Sequence, residues 1–252
     1  MSSSGEIVSI KVKYEYFTEK NEQKFSKNFE TKVNLAPDNF DENLVNINKT
    51  CNFRKPEDRY YYYMYDLDKN LFITHYKDFC ELVKAKKVLV MRNCSAYSKH
   101  IIDRLREEEQ RYKLGKNVNV NNSTMENSVN NLEKTGTNKI TETNTIKEEN
   151  LKRKDTTSSP NEKNLNLMLT QFKKNLSCDI FAEEFISYEG IKYLVSFLEN
   201  TTGNIRKLSL EALNKLLDYQ SSNDYINKND EIIVTLYEIL MKVDNIESIN
   251  LP

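Results

Sequence analysis

The chain has 252 residues, a hydrophobic fraction of 38% and a mean hydropathy of −0.71. That is polar for a single compact body, so folded parts are expected beside an unstructured tract. The 37 basic and 38 acidic residues leave a net charge of −1, a balance that argues against bulk nucleic-acid binding. No apolar run approaches a membrane span, the opening MSSSGEIVSI lacks the regions of a signal peptide, and neither end carries a lipidation motif.

Residues 6–17, EIVSIKVKYEYF, alternate along a half-buried strand. Val8, Ile10, Val12, Tyr14 and Tyr16 point one way, while Ser9, Lys11, Lys13 and Glu15 point the other. After a polar turn, Lys24–Leu35 carries Phe25, Phe29, Val33 and Leu35 and reads as the partner strand of a hairpin. Pro37-Asp38 opens a helix whose apolar face is Phe40, Leu44, Ile47 and Cys51. A turn over Phe53–Asp58 leads into RYYYYMY at Arg59–Tyr65, rich in residues that favour strands. DLDKN turns the chain back into Leu71–Thr74, Leu82 and Val83 fill a crossing, and Val88–Met91 forms a short apolar strand.

The order strand, strand, helix, strand, strand, strand is that of an α+β ubiquitin-like roll, with the helix on one face of the sheet. A helix over Ser95–Lys113 follows, its small apolar face made by Ile101, Ile102 and Leu105. From 114 to 164 the pattern disappears into Asn, Thr, Ser, Lys and Glu, the composition of a disordered linker. Ser158-Ser159-Pro160 beside Lys152-Arg153-Lys154 has the form of a phosphorylation site, and a solvated tract accounts for the same residues.

Helical periodicity returns at Leu165, Met168, Leu169 and Phe172. In FAEEFISYEGIKYLVSFLE, residues 181–199, two short helices meet at a break, where Gly190 is expected to take a positive φ. Asn204–Tyr219 and Asp230–Val243 carry further apolar faces, with Asn- and Ser-rich turns between them, Gln220–Asn229 included. Short helices joined this way predict an all-α armadillo- or HEAT-like repeat domain. The organisation expected is a ubiquitin-like domain with trailing helix over 6–112, a linker over 113–164 and a partial helical-repeat domain over 165–252. Charge follows these divisions: 20 basic against 18 acidic residues in 1–112, 9 against 7 in 113–164, and 8 against 13 in 165–252.

The sequence holds no phosphate-binding glycine loop, nucleophile elbow or zinc-protease helix. Cys51, Cys80, Cys94 and Cys178 have no metal-ligand spacing; the first, second and fourth read as core thiols and Cys94 as partly exposed. His75 and His100 read as surface histidines, and Glu183-Glu184 as a solvated pair. No cofactor, metal or catalytic residue is expected, and the chain reads as non-enzymatic. The rings of Tyr60–Tyr63 alternate between the core and an outer aromatic strip. Lys11, Lys13, Lys27 and Lys32 lie on outer or edge positions of the first hairpin. Such lysines either protect an edge strand or steer an acidic partner that pairs with it.

A roll followed by helical repeats, with Phe181, Phe185, Ile186, Glu189, Gly190, Ile191, Leu194 and Leu198 in the spacing quoted above, resembles the N-terminal half of the ELMO (engulfment and cell motility) family. Tyr62–Asn93 is similar to the later strands of that family's Ras-binding domain, and the insert near 114–164 is a departure from it. The resemblance implies a cytoplasmic scaffold that binds an activated small GTPase of the Rho or Ras class. In the family such binding serves Rac exchange by DOCK-type factors, actin remodelling, motility and phagocytosis. The segments that engage DOCK-type factors have no counterpart in this sequence, and membrane recruitment would run only through partners. The regulatory region of a formin, which also places a GTPase-binding segment before armadillo repeats, is the alternative.

Overall fold

The computed structural model describes residues 5–18, 22–51, 61–129 and 160–249. A strand-rich region comes first and a helical region second. Strand β1 spans Ile7–Phe17 and forms antiparallel ladders with β2 (Gln23–Phe25) and β3 (Phe29–Asn34) on the same side. The expected single partner strand is thus divided. At the break, Ser26 takes over the backbone's role: its N–H donates to the Tyr14 carbonyl at 2.8 Å and its Oγ accepts from the Tyr14 N–H at 2.9 Å. Ser26, Lys27 and Asn28 between the ladders face only Lys13 and Tyr14 of β1, so a one-residue bulge shifts the register between the two ladders.

On its other side β1 pairs in parallel with β6 (Leu89–Asn93), beyond which lie β4 (Tyr62–Asp66) and the short β5 (Leu71–Phe72). The sheet order is β2-β1-β6-β4-β5, with β3 also on β1. A 3₁₀ turn at Pro37–Asn39 leads into helix α1 (Phe40–Thr50), which covers one face. There Ile10, Val12, Val33, Met64, Leu89 and Met91 pack with Ile47 and Cys51, and Phe40 and Leu44 close the margin. A second helix, α2 (Tyr76–Lys84), fills what the sequence suggested was only a crossing; it buries Phe79, Cys80, Leu82 and Val83 at helical spacing. Phe53–Asp58, Arg59 and Tyr60 lie outside the described residues.

The opposite face of the sheet is where expectation and structure part. Alternation sends Glu15 outward, yet its side chain is 0% exposed. The reason is a second layer. Helix α3 (Cys94–Val129) and α4 (Pro160–Asn175) through α9 (Asp230–Ile249) build a core that also takes in Tyr65, Phe72 and Val90 from the sheet. Between them come α5 (Asp179–Ser187), α6 (Ile191–Asn200), α7 (Gly203–Leu216) and α8 (Gln220–Asn227), the last in a segment expected to be a turn. Ile101, Ile102 and Leu105 of α3 face this helical core. The helix expected to trail the first domain is therefore packed into the second.

Helix α3 runs on to Val129, and α4 begins at Pro160, so the expected linker is helical at both of its ends. Extending a formed helix costs little per residue even for Asn, Ser and Thr, and proline suits a first turn. The remainder of that stretch, including Ser158 and Ser159, lies outside the described residues.

The break between α5 and α6 also differs from expectation. Gly190 has φ −62°, and Glu189 carries the left-handed φ of 60°. The Glu189 N–H bonds to Ile186 O at 2.9 Å and the Gly190 N–H to Phe185 O at 3.0 Å, the paired bonds that close a helix end with a left-handed residue. Glycine is required at 190 for room: a Cβ there would lie 2.3 Å from the Phe185 ring. Phe185 is itself 0% exposed and tilted against Phe172, ring centres 4.5 Å apart.

Candidate functional site

The sheet has two edges, and they are treated differently. At β5, the Asn175 side chain from α4 stands in for a missing strand. Its Oδ1 accepts the Phe72 N–H at 2.9 Å and its Nδ2 donates to the Asn70 carbonyl at 3.2 Å. The outer edge of β3 is closed the same way at one end only. Asn43 of α1 accepts the Asn34 N–H at 2.9 Å and donates to the Asn34 carbonyl at 2.7 Å. In the β1–β3 ladder the Leu35 N–H bonds Glu6 O. Alternation then turns the peptide groups of Asn34, Lys32 and Glu30 away from β1. Asn34 is clamped; among the described residues no strand pairs with the outer edge of β3, where Lys32 and Glu30 present their N–H and C=O groups.

All four expected lysines lie on this hairpin, in different settings. Lys11, Lys13 and Lys32 share the face opposite α1, since they alternate with Ile10, Val12 and Val33. Lys11 stands directly across from Glu30, which offsets part of its charge. Lys13 lies over the Phe25 ring, 4.0 Å from its centre. Lys27, in the bulge, and Lys32, opposite Ser9, are exposed, and among the described residues neither forms a salt bridge. The structure thus places exposed Lys32 and Lys27 along β3 and its bulge, leaves Lys11 exposed across from Glu30, and sets Lys13 against the Phe25 ring.

Where the outer face is covered, it holds a buried charge pair. Arg92 Nη2 donates to Glu15 Oε1 at 2.8 Å and Nε to Oε2, with the guanidinium 3.6 Å from the centre of the Tyr65 ring and 4.2 Å from that of Tyr97. Two hydrogen bonds and two aromatic faces compensate the desolvation of both ions. Tyr63 and Tyr65 also face this layer, so of the aromatic strip expected outside Tyr63 is roofed by helices while Tyr61 stays 41% exposed. Burial pushes the Tyr63 hydroxyl up to about 12. Sequence alternation identified the face correctly but not the helical layer above it.

All four cysteines are buried, Cys94 included, because it begins α3 inside the shared core beside Cys178. Burial pushes the Cys51 thiol up to about 12 and the Cys94 thiol well above its usual range, the opposite of a nucleophile's environment. His75 is exposed just ahead of α2. His100 is half-buried against Tyr97, and burial, then Arg104 and Arg92, lowers its pKa below 6.5. Among the described residues no cluster of His, Cys, Asp and Glu is arranged to hold a metal ion, and no helix is long and apolar enough to cross a membrane.

One surface feature was not foreseen. On α9, Ile233, Val234, Tyr237, Leu240 and Met241 are between 42% and 63% exposed, whereas Ile232, Leu236 and Ile239 pack inward. Of the apolar face expected on this helix, Ile232 and Leu236 point inward, whereas Ile233, Tyr237 and Leu240 belong to an exposed apolar stripe. Phe181, Phe185, Ile186, Ile191, Leu194 and Leu198, the residues that carry the resemblance read from the sequence, are all buried.

No family model matches the sequence, and no curated protein matches it.

Proposed function

We propose that the chain is a non-enzymatic scaffold whose strand-rich part has ubiquitin-like topology and whose open β3 edge receives an activated small GTPase of the Rho or Ras class. The observation that carries this reading is the asymmetry of the two edges. Asn175 closes β5, while the peptide groups of Glu30 and Lys32 stay available for an added strand beside the exposed cations Lys27 and Lys32. A strand added there gains backbone hydrogen bonds, and the lysines speed the approach of an acidic partner. The sheet order, the helix across one face and the short helices that follow are consistent with a ubiquitin-like roll joined to armadillo-like repeats. The resemblance to the ELMO family rests on that order and on the buried residues between 181 and 198. On that resemblance, GTPase binding would recruit the scaffold to membranes and feed Rac exchange by DOCK-type factors.

A pulldown comparing GTP-loaded with GDP-loaded GTPases of the Rho and Ras classes tests this directly. Retention of at least one GTP-loaded form, and loss of its GDP-loaded counterpart, is expected. Equal binding of both nucleotide forms, or no binding across the panel, sinks the proposal.

A further inference from the structure

Strand β1 has a second edge, inside the sheet, that no described strand pairs with before Val12. Its parallel pairing with β6 begins only at Val12↔Leu89. The same alternation that turns the peptide groups of Val8 and Ile10 toward β3 turns those of Ile7 and Ser9 the other way. If β6 began a few residues earlier it would cover them. It does not, because α2 ends in a tight hydrogen-bonded cap: the Lys86 N–H bonds Val83 O at 2.9 Å and the Lys87 N–H bonds Leu82 O at 3.3 Å. The chain is thereby turned away from β1, leaving a cavity of about 510 Å³ bordered by Glu6, Ser9, Lys11, Lys84, Lys86 and Lys87.

Two features give this groove a chemical preference. The first is charge. Lys87 is engaged by Asp68 at 2.6 Å and Lys11 faces Glu30, while Lys84 and Lys86 are exposed and form no salt bridge among the described residues. The second is backbone conformation. Lys86 occupies the left-handed position of the cap with φ 53°, where glycine meets no steric penalty. A long cationic side chain held at a glycine position points to a role for that side chain in the groove.

We propose that this groove takes an extended acidic peptide as an added strand on Ile7–Lys11, its carboxylates paired with Lys84 and Lys86. Backbone hydrogen bonds to Ile7 and Ser9 supply affinity without sequence demands. The two lysines supply the selection for alternating acidic side chains. The site lies on the opposite side of β1 from the β3 edge and stands whether or not that edge binds a GTPase.

The test uses the full chain and a short fluorescein-labelled peptide alternating glutamate with valine. Controls are the same peptide with glutamine for glutamate, and a single-stranded DNA oligonucleotide. Saturable binding of the glutamate peptide is expected, with about tenfold weaker binding to the Lys84→Glu/Lys86→Glu protein. Ser9→Pro, which removes an N–H that β3 does not use, should also weaken it. Should Ser9→Pro not fold, peptide-induced amide shifts at Ile7, Ser9 and Lys11 in the unaltered protein serve as the second readout, and their absence overturns strand addition. The proposal is overturned by no binding, by equal binding of the glutamine peptide, by unchanged affinity in the lysine double variant, or by an oligonucleotide that displaces the peptide.

Discussion

One face of this sheet is divided between two environments. Around Glu15, Tyr65, Phe72, Val90 and Arg92 the outer face lies under α3 and the helices beyond it. A few residues away Lys11, Lys13 and Lys32 of the same face meet solvent. The edges repeat the contrast, closed by Asn175 at β5 and open at Glu30 and Lys32 of β3. The difference teaches that the helical region has a defined role for the sheet: it covers the outer face and closes the edge at the β4–β5 end, and leaves backbone and charge exposed together at the β1–β3 end.

The largest effect is expected at the covered end. Glu15→Ala leaves Arg92 charged and unpaired in the core, at a cost of about 3–5 kcal/mol. Replacing both residues by leucine should recover most of that loss. Urea unfolding of the two variants checks the point; a harmless Glu15→Ala would mean that water reaches this half of the face. Next comes the closed edge. Asn175→Ala exposes the Phe72 N–H and the Asn70 carbonyl without a partner, at a cost of about 1–3 kcal/mol. It should also speed amide exchange at Phe72 while leaving β3 unchanged.

Acid should loosen the same interface more gently. The folded pKa of His100 is lowered by burial, so the unfolded chain binds the extra proton more readily. His100 therefore adds stability above pH about 6.5, and that contribution is lost as pH falls from there through the lowered folded value. His100→Gln should flatten this part of a stability-against-pH profile; an unchanged slope would place the sensitivity elsewhere. The smallest stability effect belongs to the open end. Lys27→Glu/Lys32→Glu should change stability by no more than about 0.5 kcal/mol, yet slow association with an acidic partner, most strongly at low salt.

Much of the local structure was readable from the sequence. The alternation of β1, the α1 face from Phe40 to Cys51 and the buried series from Phe181 to Leu198 all appear where periodicity placed them. What escaped was what depends on partners distant in sequence. Glu15 looks like any outward strand carboxylate until Arg92, 77 positions later, and the helical layer are placed above it. Gly190 sat beside the left-handed residue, but its own requirement is the nearness of the Phe185 ring, and a three-dimensional approach leaves no local signature. Helix α2 carries a weak signal: Phe79, Cys80, Leu82 and Val83 have helical spacing, but nine residues span too few turns to set it apart from a buried crossing. Of the candidate site, the four lysines were legible as types on a hairpin. That Lys13 lies against the Phe25 ring and Lys11 stands across from Glu30 depends on the bulge and the ladder register.

Amide hydrogen exchange with and without a GTP-loaded GTPase retained in the pulldown tests the central claim most directly. The account predicts protection of Glu30 and Lys32 with the GTP-loaded form, none with the GDP-loaded form, and no change at Phe72 in either case. Protection confined to α9, or none at β3, would contradict it.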